Sequence, residues 1–221
     1  MGGLYSDRGE TAQAQSSYQQ ALDLANAIGD EAAVGKSLNG LGLLALEQGE
    51  YDRALLHFQS ALGMFEGRDC TAQSIVLANL ADLYARQDQP EVAIIFYKRA
   101  VNLREAIRAD LQTLPTAFQQ SYVGSVAPVY RQLADLLLQQ NRVLEAQQVM
   151  DLLKVQELED YFHTVRSPAA VGVTELPAEM AMQESYDGLM ELGQVLRQLQ
   201  LTPANERTLD QQEAIVAIRR Q

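Results

Sequence analysis

Apolar residues along most of this chain recur at intervals of three and four positions, the pattern of helices with one buried face. Four segments share a registered set: a small residue, a larger side chain four positions later, and a third apolar residue three positions after that. The small residues are Ala14, Ala54, Ala93 and Ala146. The larger side chains are those of Tyr18, Phe58, Tyr97 and Met150, and the third residues are Ala21, Ala61, Ala100 and Leu153. Since offsets of four and three share one helix face, we predict that these residues pack in a core.

A second predicted helix precedes each of these segments and has its own repeated pattern. The copies are Met1, Gly2 and Tyr5, then Leu41, Gly42 and Ala45, then Leu80, Ala81 and Tyr84, then Leu133, Ala134 and Leu137. No segment alternates with period two between turn dipeptides, so we predict essentially no sheet. The chain therefore consists mainly of two-helix hairpins.

Residues that begin or end helices occur at the expected boundaries. Gly9 and Gly49 can adopt the left-handed conformation that ends a helix, and Asn141 marks the equivalent turn in the fourth hairpin. Pro90 can begin a helix, because the first helical position needs no amide donor. Asp30 is predicted to cap the helix that follows it.

The hairpin pattern resembles the tetratricopeptide repeat, in which helix pairs stack into a solenoid. The steps between the registered alanines are 40, 39 and 53 residues, against a usual period of roughly 34, and we assign most of the surplus to longer helices. The resemblance implies an all-α fold, a tetratricopeptide-repeat α-solenoid followed by a C-terminal helical hairpin. Unrelated amphipathic helices with alanine-rich cores are the alternative.

Three parts are predicted along the chain. Residues 1–166 form the solenoid, with about four hairpins of which the first is truncated, and residues 167–177 form a linker containing prolines and a glycine. Residues 178–221 carry apolar positions at helical spacing, which predicts a helical hairpin packed as a coiled coil. Thr208 with Gln211 can form a capping box for its last helix.

A more specific set of motifs lies between Leu114 and Tyr161. They are LPTAFQQSY from Leu114, YRQLADLLL from Tyr130, EAQQV from Glu145 and LLKVQELEDY from Leu152. These stretches resemble CHAT proteins of the cyanobacterial type, in which tetratricopeptide repeats precede a caspase-like domain. The resemblance implies that the chain is the repeat and connector portion of a longer protein, with the peptidase-like His and Cys downstream of Gln221. Both ends of the chain fall within helical patterns, as such a portion would.

A polar stripe runs beside the predicted core positions of the first helix in each hairpin. In tetratricopeptide arrays the equivalent stripe lines a concave groove, and the resemblance implies the same role here. The implied groove residues are Lys36, Asn39, Leu43, Glu47, Asp82, Arg86, Arg131, Asp135 and Gln139. Their mixed charges suit an extended or helical peptide held by several polar contacts. The alternative is that they form only solvated helix faces.

One known version of this groove binds a C-terminal carboxylate, as in chaperone-binding repeat proteins. Asn79 occupies a plausible position for it, but Pro128 and Gln132 stand where a Lys and an Arg are needed. The leading hypothesis is therefore an interaction scaffold that regulates or targets a CHAT domain, the parent protein's own domain being one possible partner. A stand-alone adaptor and a chaperone-tail receptor are alternatives.

Composition excludes several classes of partner. The chain has 221 residues, 47% of them hydrophobic, and a net charge of −12. That charge repels nucleic-acid phosphates and anionic membranes. The sequence has no apolar run of about 20 residues and no signal-peptide pattern, so we expect a cytoplasmic protein.

The residues that most often carry chemistry are few and far apart. Cys70 is the only cysteine, and His57 and His163 are the only histidines, so neither a zinc set nor a Cys-His dyad has local spacing behind it. The run from Gly40 to Gly42 lacks the third glycine of a nucleotide motif. We expect no catalytic residue, metal or cofactor, and an unrecognised helical enzyme is the remaining alternative.

Overall fold

The computed structural model of the chain describes residues 11–111, 116–162, 172–202 and 207–218. Within these ranges the backbone forms nine helices and no strand, which confirms the all-α class. The helices are α1 (Thr11–Ile28), α2 (Glu31–Glu47), α3 (Tyr51–Phe65), α4 (Cys70–Arg86), α5 (Pro90–Leu111), α6 (Thr116–Gln139), α7 (Val143–Phe162), α8 (Pro177–Leu201) and α9 (Leu209–Ile218). The predicted copy at Met1, Gly2 and Tyr5, the cap at Gly9 and His163 lie outside the described residues.

The predicted hairpins form by packing of consecutive helices. Helix α2 packs against α3, α4 against α5, and α6 against α7, which gives the second, third and fourth hairpins. Helix α1 is the second helix of the first hairpin and packs against α2. The chain divides into two compact units, residues 1–68 with 181–221 and residues 69–180. The predicted domain limits at residues 166 and 177 stay a prediction.

The registered small residues form the centre of the hairpin cores. Ala14, Ala54, Ala93 and Ala146 are all buried. The larger side chains four positions later include the buried Phe58 and Tyr97 and the part-exposed Tyr18 and Met150. The third position is buried in three hairpins, but Ala21 is exposed. The prediction for Ala21 is wrong because its face of α1, which also carries Leu24 and Ile28, is accessible to solvent.

Glycines on α2 let the rings of α3 lie directly against the α2 backbone. A Cβ atom added to Gly42 would lie 2.6 Å from a ring carbon of Phe58, and one added to Gly35 would lie 2.5 Å from a ring carbon of Phe65. Both rings are buried. Since close packing leaves no free volume for a shift, these two positions require glycine for the observed helix approach.

The predicted helix boundaries are confirmed at four positions. Gly49 and Asn141 have φ angles of 74° and 59°, the left-handed conformation expected where a helix ends. Pro90 is the first residue of α5. The Asp30 carboxylate accepts a hydrogen bond of 2.9 Å from the backbone N–H of Ala33, as an N-cap does.

The long repeat spacing is accommodated in helices, as predicted. Helices α5 and α6 have 22 and 24 residues, against 17 and 15 for α2 and α3. Pro128 lies inside α6, which begins at Thr116.

The C-terminal residues form helices α8 and α9. The predicted capping box is confirmed, since Thr208 N–H donates to Gln211 at 3.0 Å and Gln211 N–H donates to the Thr208 hydroxyl at 3.3 Å. Helix α8 also meets α3. A Cβ atom on Gly193 would lie 2.8 Å from Gln59 Oε1 and 3.1 Å from Gln59 Cβ, so the two helices approach closely at this glycine.

Candidate functional site

The predicted groove residues of the second hairpin lie on one side of α2. Lys36 and Glu47 are exposed, and Asn39 and Leu43 are partly exposed. The core face of the same helix is formed by buried residues such as Leu41. The stripe is therefore accessible to a ligand along the length of α2.

In the third hairpin the predicted residues form an ion pair on α4. Arg86 Nε lies 3.1 Å from Asp82 Oδ2, and the two side chains are 48% and 36% accessible to solvent. Tyr97 of α5 is close to this pair: burial raises the pKa of Tyr97, the negative charge of Asp82 raises it further, and Arg86 opposes the rise. Tyr97 therefore remains a neutral phenol beside an accessible ion pair.

In the fourth hairpin the predicted residues lie four positions apart on α6. Arg131, Asp135 and Gln139 are all exposed. Helix α2 belongs to the first compact unit, and α4 and α6 belong to the second. The participation of all nine residues in one groove stays a prediction.

The structure also contains an ionic cluster around a buried lysine, which was not predicted from the sequence. Lys98 of α5 has no solvent exposure, and its Nζ lies 2.6 Å from Glu145 Oε2 and 2.8 Å from Glu179 Oε2. Arg142 makes two hydrogen bonds to Glu145, at 2.7 and 2.6 Å, and one to Glu179, at 2.6 Å. Two cations thus balance two carboxylates, as a buried cluster requires.

The same cluster holds a short piece of backbone. Lys98 Nζ donates to the carbonyl of Thr174 at 2.9 Å. The side-chain amide of Asn102 accepts from the N–H of Val173 at 2.8 Å and donates to its carbonyl at 3.2 Å. We call Lys98, Asn102, Arg142 and Glu145 the clamp, and residues 173–179 the docked segment.

A second set of buried polar side chains joins α5 to its neighbours. Glu105 accepts hydrogen bonds from the hydroxyl of Tyr130 at 2.6 Å and from Arg108 at 3.0 and 2.8 Å. Arg104 donates to the Ser74 hydroxyl at 3.3 Å. These contacts link α5 to α6 and α4, and their enclosed position indicates a structural role.

Comparison with protein families identifies the first half of the chain. Two models of the tetratricopeptide repeat match the sequence, one over residues 1–67 and the other over residues 40–110. This chain contains a tetratricopeptide repeat region. The matches confirm the predicted repeat fold, and neither reaches the CHAT-like motifs at 114–161. No curated protein matches the chain.

Tetratricopeptide repeats generally mediate protein–protein interaction, and proteins built from them are typically non-enzymatic scaffolds. The described ranges contain no group of three or more His, Cys, Asp or Glu residues able to hold a metal ion. None of the helices that the structure describes combines the length and hydropathy needed to cross a bilayer.

The two cations of the clamp lower the pKa values of Glu145 and Glu179. The hydrogen bonds from Arg142 are the main reason that the pKa of Glu145 lies below its ordinary value, and Lys98 contributes against the opposing effect of burial. Burial raises the pKa of Glu179, but hydrogen bonds from the Leu176 N–H, Lys98 and Arg142 outweigh it, so this pKa is also lowered. Both side chains are therefore ionised at neutral pH.

These lowered pKa values predict acid sensitivity. A carboxylate with a lowered folded pKa stabilises the fold above its unfolded pKa of about 4.3, and this contribution is lost as the pH falls through the folded pKa. Below about pH 4 we expect the urea concentration at the unfolding midpoint to decrease. The decrease should be smaller in the double variant Glu145→Gln, Glu179→Gln. Urea titrations between neutral and acid pH measure this. A double variant of the exposed Glu91→Gln and Glu191→Gln is the control, and an equal fall in all three proteins contradicts the prediction.

One signal in the sequence could have located the clamp. Lys98 lies four positions after Ile94 and three before Val101, so it shares their helix face, and both of those residues are fully buried. A lysine on a buried helix face needs a carboxylate partner. The partners themselves are 47 and 81 residues further along the chain, beyond the reach of a local pattern.

Proposed function

We propose that this chain binds a protein or peptide through a groove on the first helices of its repeats, and that it regulates or targets a caspase-like CHAT domain. The proposed groove residues are Lys36, Asn39, Leu43, Glu47, Asp82, Arg86, Arg131, Asp135 and Gln139. The cytoplasm is the proposed location.

The observation that carries this proposal is an accessible stripe at equivalent positions of three hairpins. Leu43, Asp82 and Asp135 each lie two residues after the registered leucine of their helix. All three are at least partly exposed, although the adjacent registered leucines are buried. Glu47, Arg86 and Gln139 repeat this relation six residues after the same leucines and are exposed. On α4 and α6, which belong to the same compact unit, the repeated positions offer successive contacts to an elongated ligand.

The charges of the stripe indicate the type of ligand. Lys36 and Glu47 lie at opposite ends of the α2 stripe, and Asp82 and Arg86 are already paired on α4. A peptide that carries charges of both signs could replace these solvent-exposed contacts without leaving a buried charge unpaired. We therefore favour an extended or helical peptide with several polar side chains.

A capture experiment tests the groove. The wild-type chain and the variant Lys36→Glu, Arg86→Glu serve as baits in a lysate of the source organism, and mass spectrometry identifies the partners. We expect a partner of the wild type to be lost by this variant. The control is Arg53→Glu, Lys154→Glu, which changes the net charge equally at exposed residues outside the stripe. Retention by the groove variant, or equal loss by the control, contradicts the proposed site.

The CHAT part of the proposal rests on the resemblance of residues 114–161 and is tested separately. If the reading frame continues beyond Gln221 into a domain with a His and Cys pair, that domain is expressed alone. We expect it to bind the repeat chain or to change its peptidase activity when the chain is added. A reading frame that ends near Gln221 would instead favour the stand-alone adaptor.

A further inference from the structure

We propose that the clamp is a peptide-binding site for an extended segment that carries an acidic residue, and that the docked segment occupies it as an intramolecular ligand. The site lies on α5 and at the start of α7, and none of its residues belongs to the proposed groove. The proposal therefore goes beyond that function and does not depend on it.

The clamp recognises peptide backbone. The Asn102 amide pairs with both the N–H and the carbonyl of Val173, as a neighbouring strand would. Lys98 then binds the carbonyl of Thr174. These three contacts are made to main-chain atoms, so they select an extended conformation rather than particular side chains. Val173 itself is buried, which adds a preference for an apolar residue at this position.

The clamp also requires a carboxylate from its ligand. Lys98 and Arg142 carry two positive charges, and Glu145 is the carboxylate that the clamp itself supplies. Glu179 of the docked segment provides the second carboxylate and contacts both cations. A bound segment without this carboxylate would enclose Lys98 with only one carboxylate, Glu145, to share with Arg142. A buried charge without a partner is costly, so the clamp selects an acidic residue.

The docked segment presents this carboxylate in a defined turn. Pro177 is the first residue of α8, and Glu179 Oε2 accepts a hydrogen bond of 2.7 Å from the N–H of Leu176. This is the reciprocal half of a helix capping box, which orients the Glu179 side chain at the start of the helix. The preferred ligand is thus an apolar residue in extended conformation, followed by a helix start with a glutamate at its third position.

The groups that the clamp binds are the backbone of Val173, the carbonyl of Thr174 and the carboxylate of Glu179. One continuous stretch therefore contains the full set of recognised groups, and a partner segment of the same chemistry presents the same set from another chain. We infer that such a segment competes with the docked segment for the clamp. The intramolecular ligand has the higher effective concentration, so a competitor binds the wild-type chain weakly.

The test measures binding of a fluorescent peptide with the sequence of residues 171–182 to the full chain by anisotropy. A released variant, Val173→Ser with Glu179→Gln, removes the buried apolar side chain and the carboxylate of the docked segment and leaves all four clamp residues intact. We expect the peptide to bind the released variant at least about tenfold more tightly than the wild type. A peptide in which the glutamate equivalent to Glu179 is glutamine should bind at least about tenfold more weakly.

Two further variants locate the binding. Asn102→Ala in the released variant should abolish peptide binding, and Lys36→Glu with Arg86→Glu in the same background should leave it unchanged. Equal affinity for the glutamate and glutamine peptides overturns the proposal. So does the absence of binding by a released variant whose circular dichroism shows the wild-type helix content.

A measurement on the unmodified chain keeps the test decisive if the released variant does not fold. Hydrogen exchange by mass spectrometry follows residues 173–179 in the wild type with and without excess peptide. We expect exchange in this segment to increase when the peptide displaces it. No increase at millimolar peptide overturns the proposal.

Discussion

Replacement of Lys98 by methionine is expected to lower the free energy of unfolding by about 3–5 kcal/mol, the range found when one partner of a buried ion pair is removed. Lys98 is fully enclosed and contacts Glu145, Glu179 and the carbonyl of Thr174. Methionine preserves most of the packing volume but leaves Arg142 as the partner of two carboxylates. Urea unfolding at neutral pH measures the loss.

Two controls separate charge balance from packing at this site. Lys154→Met removes an exposed ion pair with Asp151, at 3.6 Å, and should cost less than about 1 kcal/mol. Addition of Glu145→Gln to Lys98→Met restores a balance of one cation and one carboxylate. We therefore expect the double variant to be more stable than the sum of the single losses predicts, by about 0.5–3 kcal/mol. A loss below about 1 kcal/mol for Lys98→Met contradicts the prediction.

Replacement of Phe58 by alanine is expected to cost about 3–5 kcal/mol, because it empties a large volume in the core of the second hairpin. Phe58 is fully buried, and its ring lies against the backbone of Gly42. The exposed neighbour Leu56 on the same helix provides the control, since Leu56→Ala should cost less than about 1 kcal/mol. Chemical denaturation of the three proteins measures both values.

Because Phe58 contacts Gly42, the replacement Gly42→Ala should change stability in opposite directions with and without the Phe58 ring. In the wild type, Gly42→Ala places a Cβ atom 2.6 Å from a ring carbon, which should cost about 1–3 kcal/mol. In the Phe58→Ala background the collision is gone, and the higher helix propensity of alanine should stabilise the protein by up to about 1 kcal/mol. An equal cost of Gly42→Ala in both backgrounds would show that the ring and the glycine are not coupled.

Much of the repeat fold could be predicted because its determinants are local. The spacing from Ala54 to Phe58 and Ala61 places all three residues on one helix face, and the structure buries all three. Gly49 and Asn141 end their helices through their own backbone conformations, which depend little on distant residues. The stripe of groove residues follows from the same register, although its role in binding remains a proposal.

Ala21 shows where this local reasoning fails. It occupies the same register position as Ala61, but its helix face is accessible to solvent. Periodicity identifies which residues share a face, and it does not show whether another element covers that face. Burial is decided by packing between elements.

The sequence by itself thus determined the helices, their caps, the hairpin register and the class of protein, because each depends on residues a few positions apart. Only the tertiary structure decided that Lys98 meets Glu179, 81 residues away, and that Asn102 binds the backbone of Val173, 71 residues away. The physical reason is that a buried charge or amide requires a partner but does not specify where along the chain that partner lies. The packing of the helices against one another selects that partner.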